Sequence, residues 1–247
     1  MTERVAIVSG GTRGIGAAIS ELLAAGGTHV AAVYAGNHAA ARELAGRLTA
    51  AGGSVSVHPG DVGDAGFCRT LVAGLVADRG RVDYLVNNAG LLIENSVSRM
   101  TDHQWEDALR VNLSGPFHLA KAVIAPMTDR GHGRIVNIGS VTAWMGNPVE
   151  AGYGAAKAGL LGLTRSLARA VARKGITVNL VVPGVFDTEM TSSMRPEAQE
   201  AIRAMIPLGR HGDPRELADA VRFLLSDEAG YITGSVVTVD GGLSMGA

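Results

Sequence analysis

Tyr153 and Lys157 lie four residues apart in a segment with a helical pattern, and Ser140 ends an apolar run thirteen residues before the tyrosine. A phenol has a pKa of about 10, so at neutral pH it takes part in proton transfer only if its ionised form is stabilised. The i,i+4 spacing places the Lys157 ammonium on the same helix face, where a cation would lower the Tyr153 pKa. These residues predict a general acid with a hydroxyl partner, although the Tyr-x-x-x-Lys spacing also occurs on ordinary helix surfaces.

A glycine-rich turn follows the first apolar run of the chain. The run VAIVS precedes GGTRGIG at positions 10–16, and a helical pattern comes next. In such a strand–turn–helix unit Gly10 permits the tight turn, Gly14 lets the backbone approach a pyrophosphate, and Gly16 allows close packing. The helix N-terminus would present free N–H groups to the phosphates. The pattern favours dinucleotide binding over the alternative, a turn between two packed elements.

Composition predicts a soluble enzyme with a single domain over residues 1–247. The chain is 47% apolar and 18% charged, with no linker-like or repetitive tract. Its net charge of −1 gives no basic footprint for nucleic acid, and no apolar run is long enough for a membrane span. The start MTERVAIVSGG leaves no room for a signal peptide, so a cytoplasmic location is expected. Cys68 is expected in the core, and the scattered histidines predict no metal site.

Strands are predicted near residues 4–9, 28–34, 54–58, 83–87, 133–139, 177–182 and 236–239. Helical patterns separate nearly all of them, so the expected fold is an α/β Rossmann fold. It would be a doubly wound, seven-stranded parallel sheet with helices on both faces. Ligands bind at the carboxyl ends of the strands in such a sheet. Five motifs fall at those ends, namely Gly10–Gly16, Asp61-Val62, Asn87–Gly90, Ser140 and Pro183-Gly184.

These motifs resemble those of the classical short-chain dehydrogenase/reductase family over the whole chain. The glycine motif reads SGGTRGIG, Asn-Asn-Ala-Gly stands at 87–90, and Ser9 replaces the family's usual threonine while keeping its hydroxyl. The resemblance implies a catalytic set of Asn112, Ser140, Tyr153 and Lys157. Tyr153 would protonate a carbonyl oxygen as hydride arrives from a nicotinamide, and Ser140 would hydrogen-bond the same oxygen. Lys157 would also hold the nicotinamide ribose, and Asn112 would anchor a water that links Lys157 to solvent.

The choice of nicotinamide cofactor is predicted from charge near the adenosine ribose. NAD enzymes usually carry an acidic residue at the end of the second strand, but THVAAVYAGN has none, which favours NADPH. Arg13 would pair with the 2′-phosphate, or is otherwise a solvated loop residue. Asp61 would accept a hydrogen bond from the adenine amino group, and Val62 would offer its backbone. The implied cofactor set is Gly10, Thr12, Arg13, Gly14, Ile15, Gly16, Asp61, Val62, Asn88, Ala89, Gly90, Tyr153, Lys157, Pro183, Gly184, Val185 and Thr188.

Within the family, the segments GRIVNIGSV, GITVN, PGVFDTEMT, YITG and VDGGLSMG resemble those of bacterial 3-oxoacyl-[acyl-carrier-protein] reductases. This implies NADPH-dependent reduction of a 3-oxoacyl thioester, bound to an acyl carrier protein, in fatty-acid or polyketide synthesis. One alternative is a ketoreductase or alcohol dehydrogenase for a polyketide intermediate or a free ketone. A more distant one is a non-catalytic dinucleotide-sensing protein, against which the intact Asn-Ser-Tyr-Lys set argues.

Two segments are expected to face the substrate, Val141–Gly152 and Asp187–Pro207. The second offers apolar side chains that are alternatively core residues, namely Met190, Met194, Met205 and Ile206. An acidic carrier would dock on cations near the cleft mouth, for which the candidates are Arg130, Arg173 and Lys174, although the last two also suit a helix C-terminus. The family commonly forms tetramers, so a homotetramer is expected through the Tyr153 helix and the C-terminal region.

Overall fold

The computed structural model describes residues 3–192 and 195–246, and within them the chain forms one sheet of seven strands. The strands are β1 Arg4–Ser9, β2 Thr28–Tyr34, β3 Val55–Pro59, β4 Tyr84–Asn87, β5 Gly133–Ile138, β6 Ile176–Pro183 and β7 Val236–Val239. All neighbouring pairs are parallel, in the order β3-β2-β1-β4-β5-β6-β7. The predicted Rossmann architecture is confirmed, and each predicted strand end lies within one residue of the observed one.

The helices connect successive strands and cover both faces of the sheet. They are α1 Gly14–Ala25, α2 His38–Ala50, α3 Ala65–Arg79, α4 Asp102–Leu109, α5 Gly115–Arg130, α6 Thr142–Met145, α7 Ala151–Val171, α8 Glu189–Ser192, α9 Pro196–Met205 and α10 Pro214–Leu225. A π-helical turn, Arg110–Ser114, joins α4 to α5, and a 3-10 turn, Ala172–Lys174, follows α7. No helix in the described ranges is long and apolar enough to cross a membrane.

Alternate residues of each central strand enter two separate cores. Ile7 of β1 lies in the core that α3, α5 and α7 cover, whereas Val8 lies in the core under α1 and α10. Because both faces are buried, β1 and β2 are nearly continuous apolar runs, which explains why they could be located from sequence. Cys68 lies fully inside the first core, where burial raises its thiol pKa to about 11. It is therefore the core residue that was predicted.

The strand order reverses at β1. Strands β2 and β3 lie on one side of β1, and strands β4, β5, β6 and β7 lie in that order on its other side. The loops that leave β1 and β4 therefore diverge onto opposite faces and open a crevice at their carboxyl ends, where sheets of this kind bind ligands. The predicted motifs lie along this edge of the sheet.

Candidate active site

Hydrogen bonds from Ser9 and Asn88 fix the glycine turn to the end of β4. The Ser9 hydroxyl oxygen accepts from the backbone N–H groups of Asn88 and Ala89, both at 3.0 Å. In return, the Asn88 side-chain amide donates to the carbonyls of Ser9 and Gly10, at 3.0 and 3.1 Å. The hydroxyl that Ser9 keeps thus bridges the two motifs. The two motifs form one rigid unit across neighbouring strands.

Gly10 and Gly16 are required by the tightness of this unit. Gly10 has a φ of +63°, in the left-handed region that favours glycine. A Cβ on Gly16 would lie 2.0 Å from the Gly10 carbonyl oxygen and 2.6 Å from the Asn88 side-chain nitrogen. The start of α1 therefore sits directly against the turn, as the spacing of the glycines predicts.

The N-terminus of α1 fits the pyrophosphate of a dinucleotide. Among the residues that the structure describes, four other helices have a side-chain N-cap, supplied by Asn37, Asp64, Thr101 and Asp213. The N-cap residue of α1, Arg13, makes no such bond, and the first turn of α1 carries no acidic residue. Its N–H groups and the positive end of its dipole thus face the crevice without a competing anion from the first turn. Thr12 is buried in the turn, and Ile15 packs on the core below it.

Ser140, Tyr153 and Lys157 come together where β5 ends and α7 begins. Ser140 follows β5 by two residues, and its hydroxyl lies close enough to the Tyr153 phenol to favour the ionised form of the phenol. Lys157, one turn further along α7, is buried and donates to the Ile138 carbonyl at 2.8 Å. Its Nζ atom lies 5.6 Å from the centre of the Tyr153 ring. The helical spacing that was read from the sequence therefore places the cation beside the phenol.

Burial is the largest influence on the acidity of Tyr153. Desolvation raises the pKa of Tyr153 to about 12, with the Ser140 hydrogen bond opposing it and the Glu150 carboxylate adding to it. Burial also lowers the pKa of Lys157 to about 8. The expectation that Lys157 lowers the Tyr153 pKa stays a prediction, since the net shift in the chain by itself is set by burial. The phenol keeps its proton at neutral pH, which is the state that a proton donor needs.

Asn112 is fixed inside the π-helical turn. Its side-chain nitrogen donates to the carbonyls of Leu91 and Ala108, each at 2.8 Å, and its side-chain oxygen accepts from the Leu91 N–H at 3.1 Å. Pro116 has no N–H to donate to the Asn112 carbonyl four residues earlier, so the regular α-helical bond cannot form there. Turns of this kind inside helices are frequent at functional sites. The proline was the sequence signal for the turn, and it was missed.

Gly90 lies between Asn112 and Lys157. A Cβ at this position would be 3.2 Å from the Asn112 side-chain oxygen and 3.9 Å from the Lys157 Nζ atom. The Asn-Asn-Ala-Gly motif thus leaves a gap that the amide and the ammonium flank. This arrangement suits the water that the family resemblance implies between Lys157 and solvent.

Asp61 has a partner that sequence reasoning missed. Its carboxylate accepts hydrogen bonds from Arg110 at 2.5 Å and from the Gly63 N–H at 2.8 Å. Although partial burial opposes them, these bonds lower the Asp61 pKa, so the side chain stays an anion and an acceptor. The adjacent Val62 is buried. Because Arg110 starts the π-helical turn, it connects the predicted adenine end of the site to the segment that holds Asn112.

The loop after β6 lies against the glycine turn. Pro183 accepts a hydrogen bond from the Val141 N–H at 3.1 Å, Gly184 donates to the Val239 carbonyl at 3.0 Å, and Val185 accepts from Gly212 at 3.0 Å. The Thr188 methyl group would lie 3.5 Å from a Cβ on Gly14. Thr188 therefore lies beside the glycine turn, whereas the bonds of Pro183, Gly184 and Val185 fix the start of the loop to neighbouring segments.

Arg13, the predicted 2′-phosphate ligand, has an acidic neighbour. One of its terminal nitrogens lies 3.5 Å from a Glu189 carboxylate oxygen, with the two side chains 57% and 80% exposed. Exposed pairs of this length are weak, so the arginine remains accessible to an incoming anion. Glu189 was not identified from the sequence, because only the fold brings α8 over the glycine turn.

The segments predicted to face the substrate border the same edge. Trp144 and Met145 of α6 are 38% and 40% exposed, and a cavity separates this helix from Asp240, Ser244 and other residues of the C-terminal segment. Ile206 is buried and Met205 is exposed, so these two have different roles. The placement of Met194 and of the Met190 side chain lies outside the described part of the chain.

Arg130, Arg173 and Lys174 lie away from this edge. Arg130 ends α5 just before β5 begins, and the other two follow α7 just before β6 begins. α7 has 21 residues and starts beside Tyr153, so its far end is about 30 Å from the phenol. The prediction that these cations surround the cleft mouth of their own chain is therefore wrong. Their position follows from the antiparallel packing of helices on parallel strands.

Comparisons with known proteins agree with this geometry. A family model described as Enoyl-(Acyl carrier protein) reductase matches residues 10–244. The chain is 45% identical over 242 residues to the 3-oxoacyl-[acyl-carrier-protein] reductase FabG of Escherichia coli (strain K12), covering 98% of each chain. It is 46% identical over 240 residues to an acetoacetyl-CoA reductase of Shinella zoogloeoides, covering 97% of this chain and 98% of the relative. It is 40% identical over 244 residues to nodulation protein G of Azospirillum brasilense, covering 99% of each.

Proposed function

Because the chain belongs to the short-chain dehydrogenase/reductase family, an oxidoreductase family, we propose that it uses NADPH to reduce the 3-oxo group of an acyl thioester. The observation that carries the proposal is the pairing of the Ser140 and Tyr153 hydroxyls beside the buried Lys157. Two neighbouring hydroxyls suit a carbonyl oxygen, which can accept a hydrogen bond from each. An enoyl double bond, which the family model's description mentions, offers no such acceptor at the reacting carbons.

The chain's own residues supply the proton and the orientation. The Tyr153 hydroxyl donates its proton to the carbonyl oxygen, and the Ser140 hydroxyl donates a hydrogen bond to the same atom. When bound, the nicotinamide would supply the hydride. The Lys157 ammonium then returns a proton to Tyr153 and is itself reprotonated from solvent, through a water that Asn112 would hold in the gap beside Gly90. General acid catalysis contributes typically ~10²–10⁴, and positioning of the reactants supplies much of the remainder.

The substrate class is inferred from the names of the relatives. One is named for 3-oxoacyl groups on a carrier protein and another for acetoacetyl-CoA. Both names describe a 3-oxo group on a thioester, so we propose a thioester substrate. The carrier-bound form is preferred, because the name of the Escherichia coli relative specifies the carrier.

A substrate panel tests this assignment. Turnover with NADPH is compared for a carrier-bound 3-oxoacyl thioester, the same acyl group on CoA, a free 3-oxo ester and a 2-enoyl thioester. We expect kcat/KM to be highest for the carrier-bound 3-oxoacyl group and turnover of the enoyl compound to be negligible. Preference for the free ketone would favour a small-molecule ketoreductase, and absence of turnover would favour a sensing protein.

The cofactor prediction concerns Arg13 and Glu189. Arg13→Ala should weaken NADPH binding roughly tenfold to a hundredfold, the loss expected for one charge-assisted contact, and should leave NADH binding almost unchanged. Glu189→Gln is the matched variant, because it frees Arg13 of its 3.5 Å partner and should strengthen NADPH binding. Dissociation constants from fluorescence titration of both cofactors check this. Equal affinities of the unmutated protein for NADPH and NADH would contradict the assignment.

We further propose that the chain forms a homotetramer through α7 and its C-terminal region. Apolar residues remain partly exposed on α7, namely Leu161, Leu163 and Leu167, and Met245 near the C-terminus is 76% exposed. Such surfaces favour association. Light scattering should give four times the chain mass of 25.4 kDa. A monomer at micromolar concentration would count against this proposal.

A further inference from the structure

Glu150 is a buried carboxylate that connects two parts of the proton-donor site. It is only 9% exposed and occupies the N-cap position of α7, three residues before Tyr153. Its carboxylate oxygens accept hydrogen bonds from the Asn147 side-chain amide at 2.7 Å and from the Thr142 hydroxyl at 3.3 Å. Both donors belong to the segment that follows Ser140. A single side chain thus joins this segment to the start of the tyrosine helix.

The connection reaches Ser140 itself. The backbone N–H of Thr142 donates to the Ser140 hydroxyl oxygen at 3.1 Å, while the Thr142 hydroxyl donates to Glu150. Thr142 therefore holds the catalytic hydroxyl on one side and the carboxylate on the other. Loss of the carboxylate would release Thr142 and with it the orientation of Ser140.

The charge of Glu150 is not neutralised by a cation. In residues 3–192 and 195–246 no Lys, Arg or His forms an ion pair with it, and the other carboxylate that acts on it is Glu94. Burial raises the pKa of Glu150, although the hydrogen bond from Thr142 acts to lower it. An unpaired buried carboxylate is costly, and perturbed groups of this kind concentrate at functional sites. The nearby ionisable groups are Tyr153, whose pKa Glu150 raises, and Lys157, which lies one helical turn after Tyr153.

Resting on the proposed function, we propose that Glu150 is a positioning residue of the proton donor: it orients Ser140 through Thr142, and from the N-cap of α7 it places an anion one helical turn before Tyr153. The sign of its effect on the Tyr153 pKa follows from electrostatics, since an anion near a phenol disfavours the phenolate. Removal of the charge should therefore lower the Tyr153 pKa, although burial keeps the phenol protonated at neutral pH in either case. The functional effect of Glu150 is expected through the orientation of Ser140.

The test measures Tyr153 ionisation directly, without substrate. Tyrosinate absorbance is recorded after a rapid pH jump, and Tyr153 is isolated by subtracting the signal of the matching Tyr153→Phe protein. Glu150→Gln, which removes the charge but keeps an acceptor oxygen, should lower the midpoint by about 0.5–1 pH unit, as expected for one nearby screened charge. Glu94→Gln, at an exposed carboxylate, should shift it less. An unchanged or higher midpoint in Glu150→Gln would overturn the proposal.

Two further variants separate charge from orientation. Asn147→Ala removes the 2.7 Å donor to Glu150 and should raise KM for the thioester while leaving the Tyr153 midpoint in place. If Glu150→Gln does not fold, as judged by circular dichroism, Glu150→Met supplies a neutral side chain of similar length for the same titration. The titration needs no turnover, so a negative substrate panel with a positive titration would reject the proposed function alone. A normal panel with no shift in the titration would reject the role of Glu150 alone.

Discussion

Tyr153→Phe is expected to lower kcat for carbonyl reduction by at least ~10² while leaving NADPH binding nearly intact. The substitution removes the hydroxyl that carries the proton and keeps the ring and its packing. The Ser140 hydroxyl remains as a hydrogen-bond donor, so residual activity reflects orientation and partial stabilisation of the oxygen. Steady-state kinetics and a fluorescence titration with NADPH measure the two effects separately. Near-normal turnover would show that Tyr153 is not the acid.

Lys157→Ala should differ from Tyr153→Phe by damaging cofactor binding as well. Lys157 has two proposed partners, the phenol and a ribose, and its loss also leaves the Ile138 carbonyl without its 2.8 Å donor. A variant that loses turnover but binds NADPH normally would remove the ribose contact from the assignment. The comparison of the two variants therefore tests the division of roles, which neither tests alone.

The pH dependence of reduction follows from the same two groups. Lys157 is a cation below its pKa of about 8 and becomes neutral as the pH rises through that value. Tyr153, with a pKa of about 12, keeps its proton over the whole neutral range. We therefore expect kcat/KM to fall above about pH 8 because the lysine loses its charge. This alkaline limb should disappear in Lys157→Ala.

The positions of the strands and of most site residues could be predicted because each depends on local pattern. Strands that are buried on both faces appear as apolar runs, and residues that follow such runs meet at one edge of a parallel sheet. Ser140 and Asn88 are examples, since their places follow from the ends of β5 and β4. Tyr153 and Lys157 needed only the helical spacing.

The remaining features depend on residues that are far apart in sequence. The pairs Arg110 with Asp61 and Arg13 with Glu189 join segments separated by 49 and 176 positions, which no local pattern relates. The acidity of Tyr153 depends on how completely the fold removes water, and the sequence showed the nearby charge of Lys157 but not this burial. The prediction that Arg130 lies near the cleft mouth was wrong for a similar reason. The sequence does not show that the end of α5 and the site lie at opposite edges of the sheet.

Gly16→Ala is the second variant for which we expect a large effect, a loss of stability. Helix propensity alone would predict a gain in stability. Gly16 is the third residue of α1, where alanine is the better helix former. Its Cβ, however, would lie 2.0 Å from the Gly10 carbonyl oxygen and 2.6 Å from the Asn88 amide. Both atoms take part in the hydrogen bonds that join the glycine turn to the end of β4. The helix therefore cannot make room for the Cβ without disturbing those bonds. We expect the free energy of unfolding to fall by about 1–3 kcal/mol or more.

Gly46→Ala is the matched control, because Gly46 lies inside α2 and its Cβ would meet nothing within 4 Å. This variant should be stabilised by about 0.5–1 kcal/mol through helix propensity and the restricted unfolded chain. Urea denaturation measures the free energy of unfolding, which should fall in Gly16→Ala and rise in Gly46→Ala. NADPH affinity should fall at least ~10-fold in Gly16→Ala only, since displacement of α1 moves the N–H groups that face the phosphates. If both alanine variants were more stable and bound NADPH normally, the close packing of the turn against α1 would not hold the cofactor site in place.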